Sequence, residues 1–308
     1  MDFKTELGQR IQNLRESKGL SRQAICDLED VLTTRQLQRI EKGQSLPTIA
    51  TAKYIADKLD VSLDVLANNN SLALPPEYID LKYQLRTLYH YGDPERLRLL
   101  EKIIDEIYEN HFENLPEEEQ LSIQVAQATV DMIGAKDPSF DQGLLDEYLE
   151  QAMKKKELSF NDVEIIQLRL LSLALGDFNQ EEFVDLLSKV ILAADYFPLS
   201  ELEKVQNTIV SAAAGVLAHY GIYEILPDIV NVLNDIMTKR RDFQDNIFVH
   251  ALNWKVALFI EDNLEKAKND YQKVCMMADL LSEDLVKRNM QEEWIEDLEK
   301  KGLKYTNI

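Results

Sequence analysis

The sequence predicts an all-α protein in two parts: a small N-terminal helical domain and a longer stack of helix pairs. Three observations carry this. Only 10 glycines and 8 prolines occur in 308 residues, which favours long uninterrupted helices over a turn-rich β fold. Apolar residues recur at helical spacing along most of the chain, and no strand-like alternation is sustained. Helix-ending residues recur at a near-constant interval through residues 71–308. The length suits two domains and a sizeable core.

Hydrophobic residues make up 45% of the chain, too many for disorder throughout. Cys26 and Cys275 are too far apart in sequence to suggest a disulfide framework or a metal site, and they read as small apolar residues in a reducing compartment. The opening MDFKTELGQR lacks the apolar stretch of a signal peptide, and no window approaches the length of a membrane span. A soluble, cytoplasmic protein without membrane association is expected. The net charge of −21 would repel nucleic acid if spread evenly. Residues 1–70 carry ten Lys+Arg and ten Asp+Glu, however, so the whole excess falls in residues 71–308. Phosphate is repelled by the larger part and not by the smaller.

Residues 1–67 read as five short helices. The first runs from about Phe3 to Lys18 with Leu7, Ile11 and Leu14 on one face, and Gly19 stops it. Ser21 caps a second helix reaching about Leu28. Thr33 caps a third, and Gln36 three residues later completes a capping-box pattern; Gly43 ends it. Pro47 and Thr48 open a fourth, with Ala52, Ile55, Ala56 and Leu59. A fifth follows Ser62, with Leu63 and Leu66 turned inward. The third helix carries the functional signal. Leu37 and Ile40 point to the core, and Thr34, Arg35, Gln38, Arg39 and Lys42 share the opposite side. Arginine pairs bidentately with guanine and glutamine with adenine, so such a face suits a major groove. Charge alone would favour an ordinary solvated helix face.

The surrounding pattern decides. Leu7-Gly8, Arg15, Gly19-Leu20-Ser21, Glu41-Lys42-Gly43, Pro47 and Asp60-Val61-Ser62-Leu63 resemble, as a set, the lambda-repressor/Cro class of helix-turn-helix domains over residues 5–67. The resemblance implies a DNA reader. It places base contacts at Thr34, Arg35 and Arg39, flanked by Gln36 and Gln38, with Lys42 suited to a phosphate. It makes Arg15 and Glu41 a structural ion pair between the first and third helices. Arg22 stands where the class usually has Gln, and an arginine there still reaches a phosphate.

Asn68-Asn69-Asn70-Ser71 and Pro75-Pro76 mark a linker at 68–76. Beyond it, Gly92, Gly134, Gly176, Gly221 and Asp262 each end a helix, at spacings of 42, 42, 45 and 41 residues. Helix pairs repeating at this interval predict a tetratricopeptide-like α-solenoid over 77–282; an irregular bundle is the plainer alternative. A helix at 283–308 would cap the stack and serve dimerisation through Leu285, Met290, Trp294 and Leu298. A solenoid lines a concave groove that suits an extended peptide. Gln167, Asn207 and Asn253 fall on candidate inner helices, where an amide bonds both peptide N–H and C=O, although solvent-facing amides look the same in sequence. Ser211-Ala212-Ala213-Ala214-Gly215 provides either a wide groove or close helix packing.

The RQLQRIEKGQSLPTI run, the PPEYIDLKYQL opening and NLPEEEQL together resemble the peptide-pheromone regulators of Gram-positive bacteria, in their Rgg-like, ComR-type branch. The resemblance implies an imported short hydrophobic signalling peptide, promoter DNA and a homodimer as partners, and a role in activating transcription. No cofactor is expected. His90, His111, His219 and His250 form no ligand motif, and no phosphate-binding glycine loop is present, which speaks against an enzyme. A DNA-bound repressor or antitoxin-like scaffold whose repeats hold a protein is the alternative. Pro116 is followed by Glu117, Glu118 and Glu119, an acidic group that stands as a candidate to cover the basic face of the reader. Acidic residues also simply favour a helix start.

Overall fold

A computed structural model of the chain describes residues 3–27, 31–67, 74–88, 93–140 and 142–303. Among the described residues every regular element is helical, apart from one isolated parallel bridge between Leu46 and Pro116. The chain divides into two compact units, Met1–Lys155 and Lys156–Ile308. The sequence-based boundary after residue 67 therefore lies inside the first unit. The proposed linker residues Asn68 to Ser71, together with Gly92, His90 and Leu28, lie outside the described residues.

The first unit opens with α1 (Phe3–Ser17), α2 (Arg22–Cys26), α3 (Thr34–Glu41), α4 (Ile49–Lys58) and α5 (Leu63–Ala67). The caps follow from the sequence. Ser21 accepts from the Ala24 amide, Thr33 and Gln36 form a reciprocal capping box, and Thr48 accepts from the Thr51 amide. The second helix is shorter than expected: Asp27 takes φ 51° and ends it after Cys26. Leu7, Ile11, Ile25, Leu37, Ile40, Ile55 and Leu59 form the core of this region.

Two close approaches fix α3 against α1. A Cβ on Gly8 would lie 2.1 Å from the Ile40 carbonyl oxygen, so only glycine lets the helices meet. Gly43 has φ +64° and an added Cβ would lie 2.8 Å from Thr5 Cα. Between the same helices Arg15 Nε donates to Glu41 Oε1 at 2.6 Å and Arg15 Nη2 to Oε2 at 3.1 Å. Both residues are buried. The Glu41 hydrogen bond holds the Arg15 guanidinium above its ordinary pKa.

The unit continues with α6 (Pro76–Thr87), α7 (Pro94–Asn110), α8 (Glu117–Ala135) and α9 (Gln142–Lys154). Pro76 stands in the first turn of α6, where a missing N–H costs nothing. Tyr78, Leu81, Leu100, Ile104, Ile107 and Ile123 pack as a second core.

The second unit comprises α10 (Phe160–Leu175), α11 (Gln180–Ala193), α12 (Leu202–Val210), α13 (Leu226–Arg240), α14 (Asn246–Lys255), α15 (Leu264–Leu281) and α16 (Asp284–Lys300). α12 runs on into a π-helical stretch at Ser211–Leu217, and α14 into another at Val256–Ile260. The periodic breaks close the first helix of a pair. Gly176 caps α10, while Gly221 and Asp262, at φ 71° and 52°, follow the two π stretches. Gly134 sits in the last turn of α8.

The expected outward stripe on the last helix is corrected. Trp294 and Leu298 are buried within their own unit. Trp294 stacks on Tyr271 at 4.7 Å, and Trp254 Nε1 donates to Asp297 at 3.0 Å. The apolar period of a helix is the same whether its partner is the same chain or a second copy, so the pattern did not distinguish them.

Two substitutions test this account of the first unit. Gly8→Ala forces a methyl into a backbone carbonyl that cannot rotate away, and costs about 1–3 kcal/mol or more as overpacking. Glu41→Ala leaves Arg15 buried without its carboxylate, at a cost of about 3–5 kcal/mol. Each variant melts earlier than the parent in calorimetry; a parental melt for either contradicts the assignment.

Candidate functional site

The outer face of α3 is where its sequence pattern places it. Arg35 and Lys42 are exposed, and Thr34 and Gln38 half-buried. Two members of the predicted set are engaged locally. Gln36 Oε1 accepts from the Thr33 amide at 2.8 Å, which commits the side chain to the cap. Arg22 Nε donates to Glu41 Oε2 at 2.7 Å, so Arg22 joins the structural pair rather than standing free at the surface.

Arg39 is covered. Its Nη1 donates to Glu117 Oε1 at 2.9 Å and to the Tyr148 hydroxyl at 2.8 Å, and its Nη2 to Glu147 Oε1 at 2.7 Å. Glu147 also pairs with Arg35 at 3.2 Å. Glu117 is the first residue of α8, and Glu147 and Tyr148 come from α9. The contact continues beside α3. Ser45 Oγ donates to Glu117 Oε2 at 3.0 Å, the Glu117 amide donates to the Leu46 carbonyl at 2.8 Å, and Thr51 donates to Glu118. At the far edge Lys4 Nζ donates to the Glu113 carbonyl at 2.7 Å.

Burial and ion pairing oppose one another in this cluster. Burial works to lower the Arg39 pKa, but the bonds to Tyr148 and Glu117 outweigh it and hold the guanidinium above its ordinary range. Burial pushes Glu117 up, partly offset by Arg39 and Ser45. Burial also pushes Glu118 up, against the Thr51 hydrogen bond. Tyr148 is raised by burial and by the neighbouring Glu117 charge.

Of the three glutamates singled out in the sequence, Glu117 and Glu118 meet the N-terminal helices. Glu119 instead accepts from Lys82 and Tyr78, both on α6, at 2.5 Å. One helical step turns its side chain about 100° away from the neighbour's. Lys42 stays exposed. Glu147, Tyr148, Ser45 and Thr51 were not foreseen. Glu147 and Tyr148 sit in an ordinary amphipathic stretch, LDEYLEQAMKKK, and only the packing of α9 gives them a role.

In the second unit, Gln167, Asn207 and Asn253 occupy α10, α12 and α14, the first helices of three successive pairs, and each is half-buried. Asn207 Oδ1 is buried with no hydrogen-bond partner among the described residues. The small-residue run divides its duties: Ala212 and Ala213 are buried, while Ser211 and Gly215 are exposed. No helix among the described residues is long and apolar enough to cross a membrane.

Comparison with known proteins places these features. The ComR tetratricopeptide family model matches residues 75–294, and a helix-turn-helix model matches residues 11–66. The chain is similar to the crystal structure of ComR from Streptococcus suis, with 28% identity, a TM-score of 0.77 and 96% of each chain covered. It is similar also to the competence regulator ComR from Streptococcus vestibularis, solved in complex with its cognate signalling peptide XIP. That match has 26% identity and a TM-score of 0.65, and it covers 97% of this chain and 99% of the other. An uncharacterized HTH-type transcriptional regulator of Rickettsia prowazekii is 35% identical over 78 residues, which is 25% of this chain and 59% of the relative. The chain thus spans about three fifths of the length of the curated relatives it matches. A family model covering most of the sequence, joined to an N-terminal helix-turn-helix, establishes that the chain belongs to the ComR tetratricopeptide family of regulators.

Proposed function

We propose that the protein is a cytoplasmic quorum-sensing activator, held off DNA until a short hydrophobic signalling peptide occupies its repeat domain. Residues 1–67 act as the reader, 77–282 as the sensor, and 283–308 as the cap of the stack. Arg35 and Arg39 read base edges, with Thr34, Gln36 and Gln38 beside them and Lys42 on a phosphate. The active form is a homodimer on paired half-sites, and competence or a related density-dependent programme is its output, in line with the S. vestibularis relative.

The engagement of Arg39 by Glu117, Glu147 and Tyr148 carries this reading. A guanidinium bound to two carboxylates cannot also pair with guanine. The acidic helices beside it repel phosphate as well. Peptide binding switches the protein by favouring the state in which α3 has left this cover; a differential affinity of about 1–3 kcal/mol is enough for a usable response.

Glu147→Lys tests the cover by placing a like charge against both Arg35 and Arg39. The expected result is operator binding by the peptide-free protein. A variant as dependent on peptide as the parent overturns the role of α9.

A pH dependence follows from burial. Glu117 and Glu118 hold their protons more tightly when covered than when exposed, so closing takes up protons and rising pH favours opening. Peptide-free operator binding, titrated at constant ionic strength, should increase as pH rises through the range just above the ordinary carboxylate pKa. Glu118→Gln, which imitates the protonated acid, should flatten that rise; a rise as steep as the parent's removes Glu118 from the switch.

A further inference from the structure

Three buried carboxylates show how this chain satisfies such groups. Glu41 holds Arg15 on Oε1 and both Arg15 and Arg22 on Oε2. Asp297 holds Trp254 and Lys255 on Oδ2 and Lys300 on Oδ1. Glu117 holds Arg39 on Oε1 and Ser45 on Oε2. Glu164 on α10 departs from this pattern. It is 6% exposed, its Oε1 lies 3.4 Å from Lys204 Nζ, and its Oε2 is buried with no hydrogen-bond partner among the described residues. A buried carboxylate compensated on one side only is costly.

A second orphan acceptor lies on the neighbouring helix. Asn207 Oδ1 is buried and has no hydrogen-bond partner among the described residues. Lys204 and Asn207 are three residues apart on α12, and Glu164 and Gln167 three apart on α10, so each pair shares a helix face. The Glu164–Lys204 ion pair brings the two faces together. Farther along α12, Ser211 is exposed and a Cβ added to Gly215 would meet open space. The helix surface that follows Asn207 is therefore open at these two positions.

We propose that Glu164 and Asn207 form the seat for a primary ammonium group of the bound peptide, either its free amino terminus or a lysine side chain. This rests on the peptide-sensing reading. Both orphan atoms are acceptors, and a half-compensated carboxylate favours a cation over a neutral N–H. An ammonium brings three donors, enough for Glu164 Oε2, Asn207 Oδ1 and the Gln167 carbonyl. Lys204 already compensates Glu164 on its Oε1 side. Its Nζ lies 6.0 Å from the Phe160 ring centroid, and its flexible stem can swing aside to admit the ligand.

The test uses full-length protein, immobilised, and three pools of short random apolar peptides. One pool has free amino termini and no lysine. The second is N-acetylated with one lysine, and the third is N-acetylated without lysine. Retained peptides are counted by mass spectrometry. The parent should retain one of the ammonium pools at least about tenfold over the blocked pool, the effect of a charge-assisted bond, and which pool it is names the source. Glu164→Gln should abolish that preference without lowering the melting temperature, and Lys204→Met should strengthen it. Equal retention of all three pools overturns the ammonium seat and leaves peptide sensing standing. Retention of none overturns peptide sensing, and the proposal falls with it.

Discussion

The proposed regulation depends on one guanidinium with two possible uses. Arg39 projects from the face of α3 that suits a major groove, and in this structure it is bonded to Glu117, Glu147 and Tyr148. The residue types that read guanine are the ones an acidic helix can hold. In the proposed switch the side chain that reads is also the one that is masked, and the masked state needs no dedicated inhibitory segment.

For such a mask to work, α3 must hold its geometry whether or not it is covered. The sequence invests accordingly in the contact between α1 and α3. Gly8 and Gly43 remove Cβ atoms that would keep the helices apart, and Glu41 gathers Arg15 and Arg22 beneath α3. A buried carboxylate carrying two arginines is costly to assemble and worse to break. It fixes the orientation of α3 against α1.

Much of the fold was legible because its signals are local. Caps at Ser21, Thr33 and Thr48, the stop at Gly43 and the recurring breaks all follow from backbone chemistry within a few residues. The masking site was legible only in part. Glu117 and Glu118 drew attention because charge was concentrated at a helix start, and Glu119 was grouped with them though its direction differs by one helical step. Glu147 and Tyr148 carry no local signal at all, since their role exists only once α9 packs beside α3. The C-terminal stripe shows the reverse error. Trp294 and Leu298 have the period of an interface, yet both are buried in the unit itself, Trp294 against Tyr271 and Trp254. Periodicity tells that a face is covered and not by what.

The central claim is that the reader is docked on α8 in the resting state and released in the active one. The Glu117 backbone amide reports this directly. As the first residue of its helix it has no intrahelical acceptor, and its hydrogen bond goes to the Leu46 carbonyl of the reader. Hydrogen exchange at that amide, compared between the free protein and the complex saturated with peptide and operator DNA, therefore measures docking alone. The account predicts slow exchange in the free protein and fast exchange in the complex. An amide equally protected in both would mean that the reader binds DNA without leaving its cover, and would contradict the account.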